Sequence, residues 1–348
     1  VPDVNWGLAF MAVGAASAIL GVLYALTQSD VKRLLAYSTI ENAGISVLGL
    51  GVGMMAQAQG DGGLATIAIA ASLAHVLNHA VFKGLLFLGA GSVVMATGSR
   101  QLGQFGGLLR RMPWTGVFFL TGALSISGLP LLNGFISEWL TFQALLLGFA
   151  STPGLVRLNF PAGGAILALS AALAAACFVK AFGISFLALP RSSSAAEARE
   201  SPMAMLAPQA FLASLCVMLG LFPGTMLRAL DSVLVSLPGL AGGSELLGSG
   251  HLGITSQLMM PLGFDRFDHV APLGLGVAMV GALAVAALIA SRAGMAVRRA
   301  PTWGCGGELS ARTEYTATAF SKPLMMVFRA VYRPTRQVDT LADVSPYF

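Results

Sequence analysis

His75, His79 and Lys83 stand at i, i+4 and i+8 in the apolar run SLAHVLNHAVFKGLLFLGAGSVV. Helical residues four apart share a face, so the three form one row that climbs about 12 Å at about 1.5 Å per residue. Ionisable groups inside an apolar helix are costly, and they are kept where they carry protons or ions or hold a substrate. The row therefore reads as a ladder of titratable groups facing protein rather than lipid. Taken singly, either histidine is as well explained as a hydrogen-bonded group at a helix contact. A metal site is the weaker alternative. The i, i+4 spacing suits a ligand pair, but no H-E-x-x-H motif is present and Glu138 is the only carboxylate that could join them.

Three more charges fall in apolar stretches: Glu41 in AYSTIENAG, Glu138 in GFISEW and Lys180 in ALAAACFVKAFG. The alternative for each is a structural ion pair between helices. Burial disfavours the charged form, so such groups can change protonation within a relay. Lys83 and Glu138 could pair with each other, and switching that pair would then be the mechanism. Glu41 could pair with Lys83 or with a loop arginine. Lys180 lies among small residues that permit close helix packing and would act as a buried counter-charge. Asp30, before Lys32 and Arg33, reads as a helix cap.

The elements that must position these groups are membrane helices. The 348-residue chain is 56% apolar and 10% charged, against about 25% charged residues in soluble domains. Mean hydropathy is +0.78. Seven spans are expected, near 7–27, 34–54, 66–97, 115–147, 163–189, 204–222 and 273–291. Each is long enough to cross a hydrocarbon core of about 30 Å. Span 115–147 is overlong and contains SISGLPLLNG, where Gly128, Pro130 and Gly134 should interrupt the helix. Broken backbone at membrane depth is tolerated where it lines a cavity or is buried in protein. Glu138 follows the break in the second half-helix.

Connections 28–33, 98–113 and 190–203 and the tail after 291 hold 15 Lys and Arg, whereas the alternate connections hold only Arg157, Arg228 and Arg266. This asymmetry places the start of the chain outside and the tail in the cytoplasm. The net charge of +5 follows from it, and no basic run interleaved with stacking aromatics suggests nucleic-acid binding. The 223–272 connection shows no strong period and reads as an outside loop with short helical pieces. The chain opens on Val with a full-length apolar run and no signal peptide, as expected of a chain that starts inside a longer protein. Cys177 and Cys216 lie in spans and Cys305 in the tail, with neither a disulfide framework nor zinc spacing.

DVKRLLAYSTIENAG, HVLNHAVFKGLLFLGAGSV and GALSISGLPLLNGFISEW resemble the antiporter-like subunits of respiratory complex I and of sodium/proton antiporters. The tail PTWGCGGELSARTEYTATAFSKPL and the IEN around Glu41 resemble most the large membrane subunit of group 4 hydrogenases, of the formate hydrogenlyase and hydrogenase-4 component B type. The resemblance implies an all-α integral membrane fold: a five-helix inverted-repeat unit over 1–203, two further transmembrane helices over 204–291 and a cytoplasmic tail over 292–348. The chain would be the C-terminal half of such a protein, either a fragment or one piece of a split subunit, without the first repeat. The proton relay implied is His75, His79, Lys83 and Glu138, with Glu41 and Lys180 carried over less directly. The activity implied is proton translocation in the inner (cytoplasmic) membrane. The subunit itself would be non-catalytic, part of an oxidoreductase complex, and would bind no cofactor or metal. Its partners would be other membrane subunits and a peripheral hydrogenase or dehydrogenase arm. A role within a cation/proton antiporter is the alternative, and a purely structural anchor is a third reading.

Overall fold

The computed structural model describes residues 3–237, 240, 258–259, 269–270, 272–292, 306–307 and 309–333. Cys305, Arg266 and the other loop and tail positions outside those ranges lie beyond the described residues. Antiparallel neighbours begin the chain: α1 (Val4–Thr27), α2 (Val31–Ala58) and α3 (Gly62–Thr97). Aspartates start all three. Asp3, Asp30 and Asp61 accept first-turn backbone N–H bonds from Asn5, from Lys32 and Arg33, and from Leu64. This satisfies donors that a helix start otherwise leaves open. Gly98, in the left-handed region at φ 67°, ends α3.

The long fourth stretch is two helices, α4 (Pro113–Ile126) and α5 (Asn133–Ser151). The break between them holds Gly128 at φ 64° and Leu131 at φ 80°, with Pro130 between. Gly134 lies in the first turn of α5 rather than in the break. It is needed there for close approach, because a side chain at 134 would run into the Ser125 carbonyl at the end of α4.

Then follow α6 (Asn159–Phe186), the single turn α7 (Ser193–Ala196), α8 (Met203–Leu221) and α9 (Pro223–Val235). Helix α9 is a short helical piece within the 223–272 connection, of the kind expected there. It buries Met226, Leu227, Leu230 and Leu234 on one face, a three- and four-residue spacing hidden by its short length. Beyond it come a two-residue antiparallel pair, Leu258–Met259 with His269–Val270, then α10 (Pro272–Arg292), α11 (Ala317–Val327) and α12 (Arg329–Tyr332). Among the described residues six helices are long and apolar enough to cross a membrane, and α4 is a shorter apolar helix.

One end of the bundle gathers the basic loops. Val31 donates to the Arg100 carbonyl (3.0 Å), Gly106 to that of Ser185 (3.1 Å) and Arg191 to that of Phe105 (3.1 Å). Arg100 also meets Asp30 at 3.4 Å. At the opposite end Thr152 bonds Gln59 at 3.0 Å.

The apolar core is in two parts. One occupies the basic half: Val22–Leu26 of α1, Val31–Leu35 of α2, Phe82–Val93 of α3 and Leu173–Phe186 of α6. The other fills the opposite half, with Ile45–Ala56 of α2, Leu64–Ala74 of α3, Ile136–Leu145 of α5 and Phe160–Leu167 of α6. The residues skipped between the two parts are Ser38, Glu41 and Asn42 on α2, His75 to His79 on α3, Asn133 on α5 and Ser170 on α6. Polar side chains thus form a belt across the middle of an otherwise apolar bundle.

Candidate functional site

The belt is built where α3 passes between α2 and α5. His75 and Asn78 project from α3 onto the first turns of α5. His75 Nδ1 lies 3.0 Å from Ser137 Oγ. Asn78 Nδ2 donates to the same hydroxyl at 3.2 Å and to the Asn133 carbonyl at 2.8 Å. Asn133 Nδ2 donates back to the Asn78 carbonyl at 3.3 Å. The helix break positions this seam, because α5 begins at Asn133 and so carries Asn133 and Ser137 in its first turns against α3.

Lys83 leaves the α3 row toward α2. Its Nζ donates to the Leu35 carbonyl at 2.9 Å and to Ser38 Oγ, and sits 5.8 Å above the Phe178 ring. Glu41 is one turn beyond Ser38 on α2. Its Oε1 accepts from Ser170 Oγ at 2.9 Å. Helix α2 is held this close to α1 by Gly21, which packs against the backbone of Glu41 itself. Lys83 and Glu41 are within electrostatic reach of each other, although no direct ion pair joins them among the described residues. The expected Lys83–Glu138 pair is likewise absent among them.

Glu138 is buried over the break. A Cβ at position 128 would stand 2.6 Å from Glu138 Oε2, so Gly128 makes the pocket floor that the carboxylate occupies. His79, half-buried, stands edge-on to Phe82 with ring centroids 5.6 Å apart. The three-residue row therefore diverges, with His75 meeting α5, Lys83 meeting α2 and His79 standing between them. Buried atoms that bond no described protein group cluster here: Glu41 Oε2, His75 Nε2, His79 Nε2, Asn78 Oδ1 and Asn133 Oδ1. Buried polar atoms without protein partners are commonly bridged by water.

Lys180 stands apart. It donates to the carbonyls of Leu26 (2.5 Å) and Gln28 (2.9 Å) and to Ser321 Oγ (3.2 Å). These acceptors belong to the C-terminal end of α1 and to the tail helix α11. Among the described residues no three His, Cys, Asp or Glu side chains converge on one point. Sequence reasoning missed the neutral members Ser38, Asn78, Asn133, Ser137 and Ser170. A signal existed for some of them, since Asn78 sits between the two histidines, and Asn133, Ser137 and Thr141 repeat at four-residue spacing.

The family model for the membrane region of NADH:quinone oxidoreductase/Mrp antiporters matches residues 2–152. Hydrogenase-4 component B of Escherichia coli is 37% identical over 96% of this chain and 49% of its own length. A subunit of the sodium/proton antiporter of Bacillus subtilis is 30% identical over 78% of this chain and 35% of its own. A chain of the membrane-bound sulfane sulfur reductase, an archaeal respiratory membrane complex, superposes with a TM-score of 0.73. It is 27% identical over 94% of this chain and 49% of that one. The chain thus spans about half the length of the hydrogenase-4 relative it matches.

Proposed function

Because this chain belongs to the NADH:quinone oxidoreductase/Mrp antiporter family of membrane subunits, we propose that it moves protons across the membrane inside a hydrogenase or related respiratory complex. Redox chemistry in partner subunits, including a peripheral hydrogenase or dehydrogenase arm, drives the movement. The observation that carries this reading is the polar belt. Glu41, His75 and His79 lie between two apolar clusters, with Lys83 just inside the basic-half cluster and Glu138 just inside the other, and hydroxyls bond Glu41, Lys83 and His75. Hydroxyl bridges shorten the hops. Ser137 contacts both His75 and Asn78, and Ser38 holds Lys83 one turn from Glu41.

In this reading the basic end faces the cytoplasm of an inner membrane, with the tail on that side. Residues 1–203 form the second inverted repeat, 204–291 two further spanning elements with α9 outside, and 292–348 the tail. Lys180 anchors the end of α1. The protein carries no redox centre of its own; it supplies the path, and partner subunits supply the energy.

The test uses the assembled complex in sealed vesicles. Lys83→Ala and Glu138→Gln should each abolish redox-coupled proton transfer while assembly persists, and unchanged transfer in both overturns the reading. The similarity to a sodium/proton antiporter component favours a second reading, exchange driven by an ion gradient. Sodium-dependent pH change without redox substrate would establish it.

A further inference from the structure

We propose that an anionic phospholipid seats in a cavity at the basic end of the bundle, with its phosphate at Arg110 and an acyl chain on the leucines beside it. The cavity, of about 460 Å³, lies apart from the polar belt, between the end of α6, the connection before α4 and the tail. Leu109, Phe186, Leu187, Leu189 and Leu309 give it apolar walls, and Arg110, Thr313 and Glu314 are its charged and hydroxyl lining. Its size is that of a small-molecule site.

The protein's own bonds fix the walls. Gly107 donates to the Leu187 carbonyl at 2.8 Å, and the Leu189 N–H donates to Glu314 at 2.9 Å. The tail is thereby tied to the end of α6. Between these two bonds Ala188 is held at φ 70°, a conformation that persists only where its surroundings over-determine it. The buried Arg191 guanidinium meets Glu314 at 3.3 Å and the Tyr315 carbonyl at 3.2 Å. Thr313 Oγ1 donates to the Ser310 carbonyl at 2.8 Å. The polar groups of the tail wall are therefore already matched, and Arg191 balances the charge of Glu314. Arg110 is different. It is exposed, it joins neither of the two ion pairs among the described residues, and its guanidinium donates to no described group. The cavity thus offers one unmatched positive charge beside an apolar wall.

That pairing selects an amphiphile. Leu187, Leu189 and Leu309 stay 45%, 38% and 45% exposed. A free phosphate would satisfy Arg110 and leave these leucines bare, whereas an acyl chain covers them. The depth also fits. Trp114, exposed and four residues beyond Arg110, is of the type that favours headgroup level at a membrane surface. The loops at this end add Lys32, Arg33, Arg100 and Arg111, a field that favours a net negative headgroup over a zwitterionic one. Basic pockets between membrane helices bind anionic headgroups in this way. A lipid spanning Arg110, Leu187 and Leu309 would hold the tail down on the end of α6.

The experiment measures amide hydrogen exchange across 309–315 in the assembled complex, placed in phosphatidylcholine vesicles with or without phosphatidylglycerol. Phosphatidylglycerol should slow exchange there by about tenfold, as expected when local opening is suppressed. Arg110→Gln should abolish the slowing, and Arg111→Gln should keep it. Equal exchange in the two kinds of vesicle overturns the site, and so does slowing that persists in Arg110→Gln. Inorganic phosphate that slows exchange equally in phosphatidylcholine alone marks a soluble anion and overturns the lipid. Slow exchange in phosphatidylcholine alone that is lost when partner subunits are stripped away marks a protein in the cavity and also overturns it. Should Arg110→Gln fail to assemble, Leu309→Asp carries the same comparison by setting a carboxylate in the tail wall, and unaltered slowing there overturns the site.

Discussion

Glu138 lies directly over Gly128, its carboxylate filling the space that any side chain at 128 would take. The two residues are ten apart in the chain and on opposite sides of the helix break. Gly128 also holds φ at 64°, a conformation that costs a residue with a Cβ about 1–3 kcal/mol. Gly128→Ala therefore acts twice, straining the break and displacing the carboxylate. It should lower the thermal stability of the subunit and abolish proton transfer. Gly134→Ala, which meets the Ser125 carbonyl at the same break, should destabilise at least as much. Melting of the purified complex, followed by vesicle assays, checks both.

Ser137 is the one hydroxyl shared by His75 and Asn78. Removing it leaves two buried side chains short of a partner, which costs about 1–3 kcal/mol for each group left unsatisfied. Ser137→Ala should assemble with reduced stability and lose most of its proton transfer. Ser137→Cys, which retains a weak donor and acceptor, should fall between. A Ser137→Ala complex that transfers protons at the normal rate would remove the α3–α5 seam from the path.

How much of this is legible in the sequence differs from residue to residue. The apolar runs announce membrane helices, because a span must satisfy its backbone internally, and the motif SISGLPLLNG announces the break. Spacing alone puts His75, His79 and Lys83 on one face, but does not show that Lys83 bends toward α2 while His75 meets α5. A side chain's partner depends on which helices pack beside it, and that is non-local information. A carboxylate is the expected partner of Lys83, yet its ammonium meets the Leu35 carbonyl and Ser38 instead. The neutral members of the belt are hard to see because Ser and Asn are ordinary in helices. Only their position beside His75, Lys83 and Glu41 marks them out.

Glu41 owes its place to a glycine on another helix. Gly7, Gly14 and Gly21 recur every seven residues along α1, and each meets α2 backbone or Cβ at a distance that leaves no room for a side chain. Small residues at such contacts let membrane helices approach closely. Gly21→Ala should push α2 outward at Glu41, lengthening the bond to Ser170 and loosening the grip of Ser38 on Lys83. Proton transfer should fall several-fold, with a smaller effect from Gly7→Ala because it lies far from the belt. A larger transfer defect in Gly7→Ala than in Gly21→Ala would contradict this.

Lys180 tests whether burial of a charge is enough to place it in a relay. Its ammonium reaches the Leu26 and Gln28 carbonyls, at the negative end of the α1 dipole, where a cation is favourable. The tail closes over the same turn. Ser321 donates to the Leu26 carbonyl at 2.5 Å and Tyr332 to that of Leu23 at 2.6 Å. Hydrogen bonds made by charged groups contribute about 1.5–3 kcal/mol each, so Lys180→Met should lower the stability of the fold by at least that amount. It should also free α11, seen as faster protease cleavage within 309–333. Ser321→Ala should reproduce the protease effect in weaker form. Proton transfer per assembled complex should survive both changes, because neither touches the belt. Loss of transfer in Lys180→Met with the tail still protected would move Lys180 from anchor to relay.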